Sequence, residues 1–222
     1  RFADTPYSNA IYTLEEVIGY WPMDEGSGTT IIDNGRNGYN GTYNGVAFNG
    51  ITAPPGLGGS GVALNGVSAQ TTIGPIAIDA STDLVIGCWV SVKSSKDFQV
   101  FMTIHASGGL NRFYLGEDPE DQVLQHVLYN GGVFDGQANG EFQLDTWNHF
   151  LLSYDSAKSI TRTWINGNLV ATEASTYSLM SDSYTLQFGN SSFPHCDIRG
   201  GFIAYGGVTG PEALEMYHAG WD

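Results

Sequence analysis

At 222 residues with 41% hydrophobic and 13% aromatic content, the chain carries ample apolar material for a core, which excludes wholesale disorder. Eight basic against 23 acidic residues leave a formal charge of −15, so nucleic acid and anionic membranes are poor partners on electrostatic grounds, and cations are better ones. No stretch approaches the roughly 18 consecutive apolar residues of a membrane span.

The opening residues Arg1, Phe2, Ala3 and Asp4 show neither the basic region nor the apolar run of a secretory leader, and a start without Met reads as a processed product or a piece of a longer chain. Residues 1–14 read as an N-terminal arm or connector. Residues 15–222 read as one domain, because no fixed-period repeat or low-complexity linker divides them.

Short alternating or β-branched runs then predict strands in chain order: near Val17–Met23, Val62–Leu64, Leu84–Val92, Val100–His105, Arg112–Leu115 and Val123–Tyr129, followed by Asn148–Tyr154, Ile160–Ile165, Leu169–Glu173, Thr185–Gly189 and Gly201–Tyr205. Within them Leu84, Ile86, Cys88 and Val90 share one face, as do Phe150, Leu152 and Tyr154. Between Gly26 and Gly61 the composition shifts to Gly, Asn, Thr and Pro, with Asn-Gly turn signals at 34–35, 37–38, 40–41, 44–45 and 49–50. That is a long loop region with small extended pieces, the kind of segment that serves as plain surface or as a binding edge. Asn166-Gly167 predicts a type I′ hairpin turn. One helix is expected, at the C-terminus, where Thr209 and Glu212 form a capping box, Pro211 sits in the first turn and Gly220 ends the run. The expected fold class is therefore all-β, an antiparallel β-sandwich with one short C-terminal helix.

Chemistry-bearing patterns are sparse. Cys88 and Cys196 allow one disulfide and leave open whether it forms. The five histidines, His105, His126, His149, His195 and His218, are too far apart for metal-ligand spacing. Glu117, Asp118, Glu120 and Asp121 surround Pro119 in one acidic loop, which reads as solvated surface or as oxygen ligands for Ca²⁺ without the spacing of an EF-hand. There is no Gly-x-Ser-x-Gly elbow and no phosphate-binding glycine loop.

Several segments carry a resemblance. Tyr7-Ser8-Asn9-Ala10-Ile11 followed by Ile18-Gly19-Tyr20-Trp21-Pro22-Met23-Asp24-Glu25-Gly26 resembles the opening of laminin-G-like domains of the concanavalin-A-like lectin/glucanase superfamily, in the version found in bacteriophage tail and virion proteins. Further matches follow in order at Asp33, Gly35, Asn37, Gly38 and Gly41, at Val62–Gly66, at Cys88-Trp89-Val90, at Trp147-Asn148-His149, at Trp164–Gly167 and at Gly201–Tyr205. The resemblance implies a jelly-roll β-sandwich over residues 15–222.

It also implies a calcium rim. Asp33 and Asn37 match its Asp-x-x-Gly-Asn-Gly loop, but the acidic pair before the last strand is replaced by Gly200 and Gly201, so Asp24 or Asp197 would have to substitute as ligand. A glycan surface would combine aromatic platforms with polar groups, for which Tyr39, Tyr43, Trp89, Tyr129 and Phe134 with Asn130 are the candidates, the Tyr39–Tyr43 loop being preferred. Trp21, Trp147 and Trp164 are assigned to packing.

Fold alone gives no function. The reading is a non-enzymatic virion structural or decoration protein of a bacteriophage, located on the virion with its sandwich outward and able to grip host-surface glycans. Its N-terminal arm would dock on other virion proteins, and open sheet edges would allow a homo-oligomer. The alternative is a secreted or cell-surface bacterial carbohydrate-binding or adhesion module. A divergent glycoside hydrolase ranks last, because no strand carries the two facing carboxylates, roughly 5 to 9.5 Å apart, that hydrolysis needs.

Overall fold

In the computed structural model, residues 5–48, 51–94, 99–106, 111–118, 123–130, 133–135, 140–175, 178–189 and 194–222 are described, with side chains at all of these except 111–112, 117–118, 123–130 and 133–135. Two antiparallel sheets face each other. The seven-stranded sheet runs β1 (Glu16–Trp21), β16 (His195–Tyr205), β6 (Leu84–Val92), β12 (Trp147–Asp155), β13 (Ile160–Ile165) and β14 (Asn168–Ala174), with β4 (Val62–Asn65) also paired to β16. The nine-stranded sheet runs β10 (Val133–Asp135), β9 (Val123–Asn130), β8 (Asn111–Asp118), β7 (Gln99–Ala106), β15 (Asp182–Phe188), β5 (Gln70–Ile78), β3 (Gly41–Asn44) and β2 (Thr30–Ile31), with β11 (Gly140–Glu141) paired to β9.

Strand alternation builds the core between the sheets. Leu84, Ile86, Cys88 and Val90 of β6 and Phe150, Leu152 and Tyr154 of β12 meet Phe101, Ile104, Phe113, Leu186 and Phe188 from the opposite sheet. Asn166 (φ 51°) and Gly167 (φ 78°) make the expected tight turn, pairing Ile165 with Asn168. Cys196 pairs with Val92, four positions along β6 from Cys88, a separation of about 13 Å at the strand rise. That exceeds the reach of a disulfide, and both thiols are free and buried.

A second apolar layer covers the outer face of the seven-stranded sheet. Val85 and Trp89 of β6, Leu151 of β12, Trp164 of β13 and Phe202 of β16 lie beneath α1 (Pro6–Ile11), the 3₁₀ turn Pro55–Leu57 and α2 (Gly210–Trp221). Of the expected arm over residues 1–14, residues 1–4 lie outside the described residues and Pro6–Ile11 packs on the sheet. From Thr5 onward the segment is a capped helix, with Thr5 Oγ1 accepting from the Ser8 amide at 3.1 Å and Ser8 Oγ from the Thr5 amide at 3.0 Å. Tyr7 and Ile11 are fully buried, which contributes about 1.5–3 kcal/mol each. The sheet needs that cover because Val85, Trp89, Leu151, Trp164 and Phe202 present their apolar side chains outward.

Bulges set the ends of this layer. Between Arg199 and Phe202 the register of β16 against β6 shifts, and Gly200 there has φ 60°. A Cβ on Gly200 would stand 2.7 Å from Leu57 and 2.9 Å from Tyr7, and one on Gly201 2.3 Å from the Phe188 ring. The glycine pair is thus required by close packing on both faces.

Candidate functional site

A cleft of about 550 Å³ opens where the end of α1 meets β1 and the turn after β2, lined by Tyr12, Leu14, Glu15, Glu16, Val17, Asn34, Arg36 and Asn37. Asp33 builds this rim. Its Oδ1 accepts from the amides of Tyr20 (3.0 Å) and Gly35 (2.7 Å) and its Oδ2 from that of Tyr39 (2.8 Å), while its own amide donates to Asn40 Oδ1 (2.9 Å). Asn37 Nδ2 donates to the carbonyl of Ile18 (2.7 Å), where the β1–β16 register shifts. Tyr12 closes the cleft from the helix side: its hydroxyl donates to Asn34 O (2.8 Å), its ring stands edge-on to Tyr20 and it remains 39% exposed. The result is an exposed aromatic ring beside amides, a guanidinium and two carboxylates, a donor and acceptor set held on a braced turn.

The calcium candidates are engaged in contacts within the protein. The Asp33 carboxylate already accepts from the amides of Tyr20 on β1 and of Gly35 and Tyr39 in the turn, Asn37 is held through its Nδ2 on Ile18 O, and Asp24 Oδ2 lies 3.2 Å from Arg199 Nη2. Arg199 already supplies the positive charge at that point. Its guanidinium, 1% exposed, donates to the carbonyls of Pro22 (2.9 Å), Ser60 (3.0 Å), Leu57 (2.9 Å) and Gly58 as well as to Asp24. Among the described residues no three His, Cys, Asp or Glu side chains group to hold a metal.

The aromatic candidates are mostly redistributed. Trp89 is fully buried, stacked between His149 (5.0 Å) and Tyr217 (5.7 Å) under α2, because the face it was read onto is covered by helices. Tyr43 is 3% exposed and donates to Glu25 Oε2 at 2.6 Å; burial and that carboxylate push its phenol well up. Tyr39 is half-buried against the core, and its carbonyl accepts from Trp21 Nε1. The backbones of Tyr129 and Asn130 lie on β9 and that of Phe134 on β10, and their side chains fall outside the described residues, as do those of the Glu117–Asp121 loop. Trp21 and Trp164 are core residues, and Trp147 donates to Thr52 O at 2.9 Å, all in packing roles. Of the expected site residues, only Asn37 lines the rim cleft. Tyr12, Glu15, Glu16, Asn34 and Arg36 were missed, although the turn signals over 34–38 spanned two of them, Asn34 and Arg36.

The family model described as the Concanavalin A-like lectin/glucanases superfamily matches residues 61–202. The rim cleft and α2 lie outside that span. Among solved structures, the fourth domain of a Geobacillus stearothermophilus extracellular GH43 arabinanase, solved in complex with arabinotriose, is 17% identical with a TM-score of 0.70, covering 90% of this chain and 98% of that domain. Trypanosoma rangeli sialidase in complex with sialic acid is 12% identical at TM-score 0.66, covering 91% of this chain and 32% of the sialidase. A botulinum neurotoxin type C chain, whose cell entry depends on interaction with two ganglioside molecules, is 13% identical at TM-score 0.68, covering 95% and 53%. The chain therefore spans about a third of the sialidase and about half of the toxin chain. No curated protein matches it.

Proposed function

We propose that this chain, which belongs to the concanavalin A-like lectin/glucanase superfamily, is a non-catalytic glycan-binding module whose rim cleft takes a saccharide against Tyr12. The observation that carries the reading is the exposed, tethered Tyr12 ring set beside Asn34, Arg36, Asn37, Glu15 and Glu16. Pyranose and furanose rings offer an apolar face for stacking and a hydroxyl edge that both donates and accepts, which is the complement of this set. The arabinotriose complex of the arabinanase domain, matched over 98% of its length, supports the same reading at the level of the fold.

The cleft favours holding over hydrolysis. Its carboxylates, Glu15 and Glu16, are consecutive and on one rim, whereas glycoside cleavage needs an acid and a base or nucleophile on opposite sides of the scissile bond. We place the module on the outer surface of a virion, on the resemblance of its opening segment. A secreted or cell-surface module is the second reading, favoured by the match to 98% of one domain of an extracellular enzyme.

The test is a glycan array, followed by calorimetry on the hits, with wild type, Tyr12→Ala and Arg36→Ala, each with and without Ca²⁺. Selective binding that drops about 10-fold or more in Tyr12→Ala, roughly 1.4 kcal/mol, and ignores chelator is expected. A folded wild type silent on the array, or hits that both variants keep, would overturn the reading.

A further inference from the structure

A second cleft lies on the outer face of the seven-stranded sheet, at the end that the helices leave uncovered. It measures about 530 Å³ and is lined by Ala47, Ile51, Ala63, Leu64, Asn65, Lys93, His195 and Asp197. Strand pairing assembles it: Ala63, Asp197 and Ser91 are neighbours across β4, β16 and β6, and Asn65 pairs with His195 one step further on.

The polar bookkeeping of its centre is specific. Lys93 Nζ stands 2.8 Å from Asp197 Oδ2 and 3.0 Å from Ser91 Oγ. An ammonium has three hydrogens, so one remains. The Asp197 side chain is 6% exposed, and among the described residues no hydrogen bond reaches its Oδ1. Burial pushes the Asp197 carboxyl up from its usual value, against the hydrogen bond and charge of Lys93 and the charge of His195. A further donor at Oδ1 would therefore stabilise its charged form. His195 Nδ1 is held by Ser94 Oγ at 3.1 Å.

From one free acceptor and one free donor side by side, we infer that this cleft is a second binding site, selective for a vicinal diol of a neutral sugar or polyol. One hydroxyl donates to Asp197 Oδ1 while its neighbour accepts from Lys93 Nζ. The mutual neutralisation of the pair leaves no net charge to attract a simple cation or anion. Ala47, Ile51 and Ala63 form the apolar wall against which the ring carbons pack. No residue of this cleft lines the rim cleft, so the two sites stand or fall separately.

The experiment is a titration of the isotope-labelled chain, followed by backbone amide shifts, with methyl α-D-mannopyranoside and methyl β-D-galactopyranoside against tetrahydropyran-2-methanol, a ring without a vicinal diol. Millimolar, saturable shifts at Ser91–Ser94 and His195–Asp197 are expected with the glycosides alone. They should persist in Tyr12→Ala, and Lys93→Met and Asp197→Asn should each weaken them at least 10-fold. Absence of such shifts with both glycosides in the wild type, or equal shifts with the diol-free ring, overturns the inference whether or not the variants fold. Loss of rim binding in Tyr12→Ala with these shifts retained separates this site from the first.

Discussion

Two aspartate–cation pairs sit on the same face of β16 and are built in opposite senses. In one, the Arg199 side chain is 1% exposed and that of its partner Asp24 42%, at 3.2 Å; in the other, the Asp197 side chain is 6% exposed and that of its partner Lys93 31%, at 2.8 Å. Where the cation is the buried member, its two terminal nitrogens donate to the carbonyls of Pro22, Leu57, Gly58 and Ser60, and two loops are fixed to the sheet. Where the carboxylate is buried, one oxygen and one ammonium hydrogen are left without a partner among the described residues, in a pair that lines a cleft. The same pairing thus yields a structural tie or a receptive site, according to which partner is stripped of water and how many neighbours replace that water.

The largest expected effect breaks the first pair. Arg199→Ala leaves the backbone carbonyls around it unpaired and should cost on the order of 3–5 kcal/mol in urea unfolding, a large share of an ordinary domain's stability. Removing the exposed partner instead, Asp24→Asn, should cost about 1 kcal/mol or less, because that carboxylate keeps its water. Equal losses from the two substitutions would sink the comparison.

An intermediate effect concerns a buried group on the same face that has no ionic partner. His149 is fully buried, its Nε2 shared with the Tyr7 hydroxyl at 3.0 Å, and burial lowers its pKa from 6.5 to about 3. Below the unfolded value the unfolded chain takes up a proton that the native chain refuses, so stability is complete above about pH 6.5 and falls as the pH drops toward 3. The slope attributable to His149 is at most about 1.4 kcal/mol per pH unit. Chemical denaturation of wild type and His149→Phe across that range should give a wild-type curve that falls more steeply; parallel curves would show that the ring gains its proton without opening the helix-covered layer.

Two strands were legible to their ends, whereas of β16 (His195–Tyr205) only Gly201–Tyr205 was expected, because Asp197, Arg199 and the glycine pair interrupt its apolar pattern. Leu84–Val92 and Ile160–Ile165 have the bounds that their residues imply, since β-branched and apolar runs between turn signals have few alternatives. β5 was missed because Thr71, Thr72, Gly74 and Pro75 mask its alternation, and the register shift between Tyr184 and Leu186 breaks it further. α1 was missed because six residues are too few for helical periodicity, although Thr5, Pro6 and Ser8 spelled its cap. Trp89 and Tyr43 were placed on binding surfaces because strand position tells which face a side chain takes and says nothing of what covers that face.

By itself the sequence determined the sandwich, its inner core, the Asn166-Gly167 hairpin and the capped C-terminal helix, all features set by interactions among residues close along the chain or by simple alternation. Only the tertiary structure decided that the opening segment is part of the domain, that Arg199 closes an oxygen cage, and that Tyr12 meets Asn34 while Asp197 meets Lys93. Those outcomes depend on which distant strands and loops become neighbours, and on how much water the resulting contacts exclude, quantities that no local pattern of residues encodes.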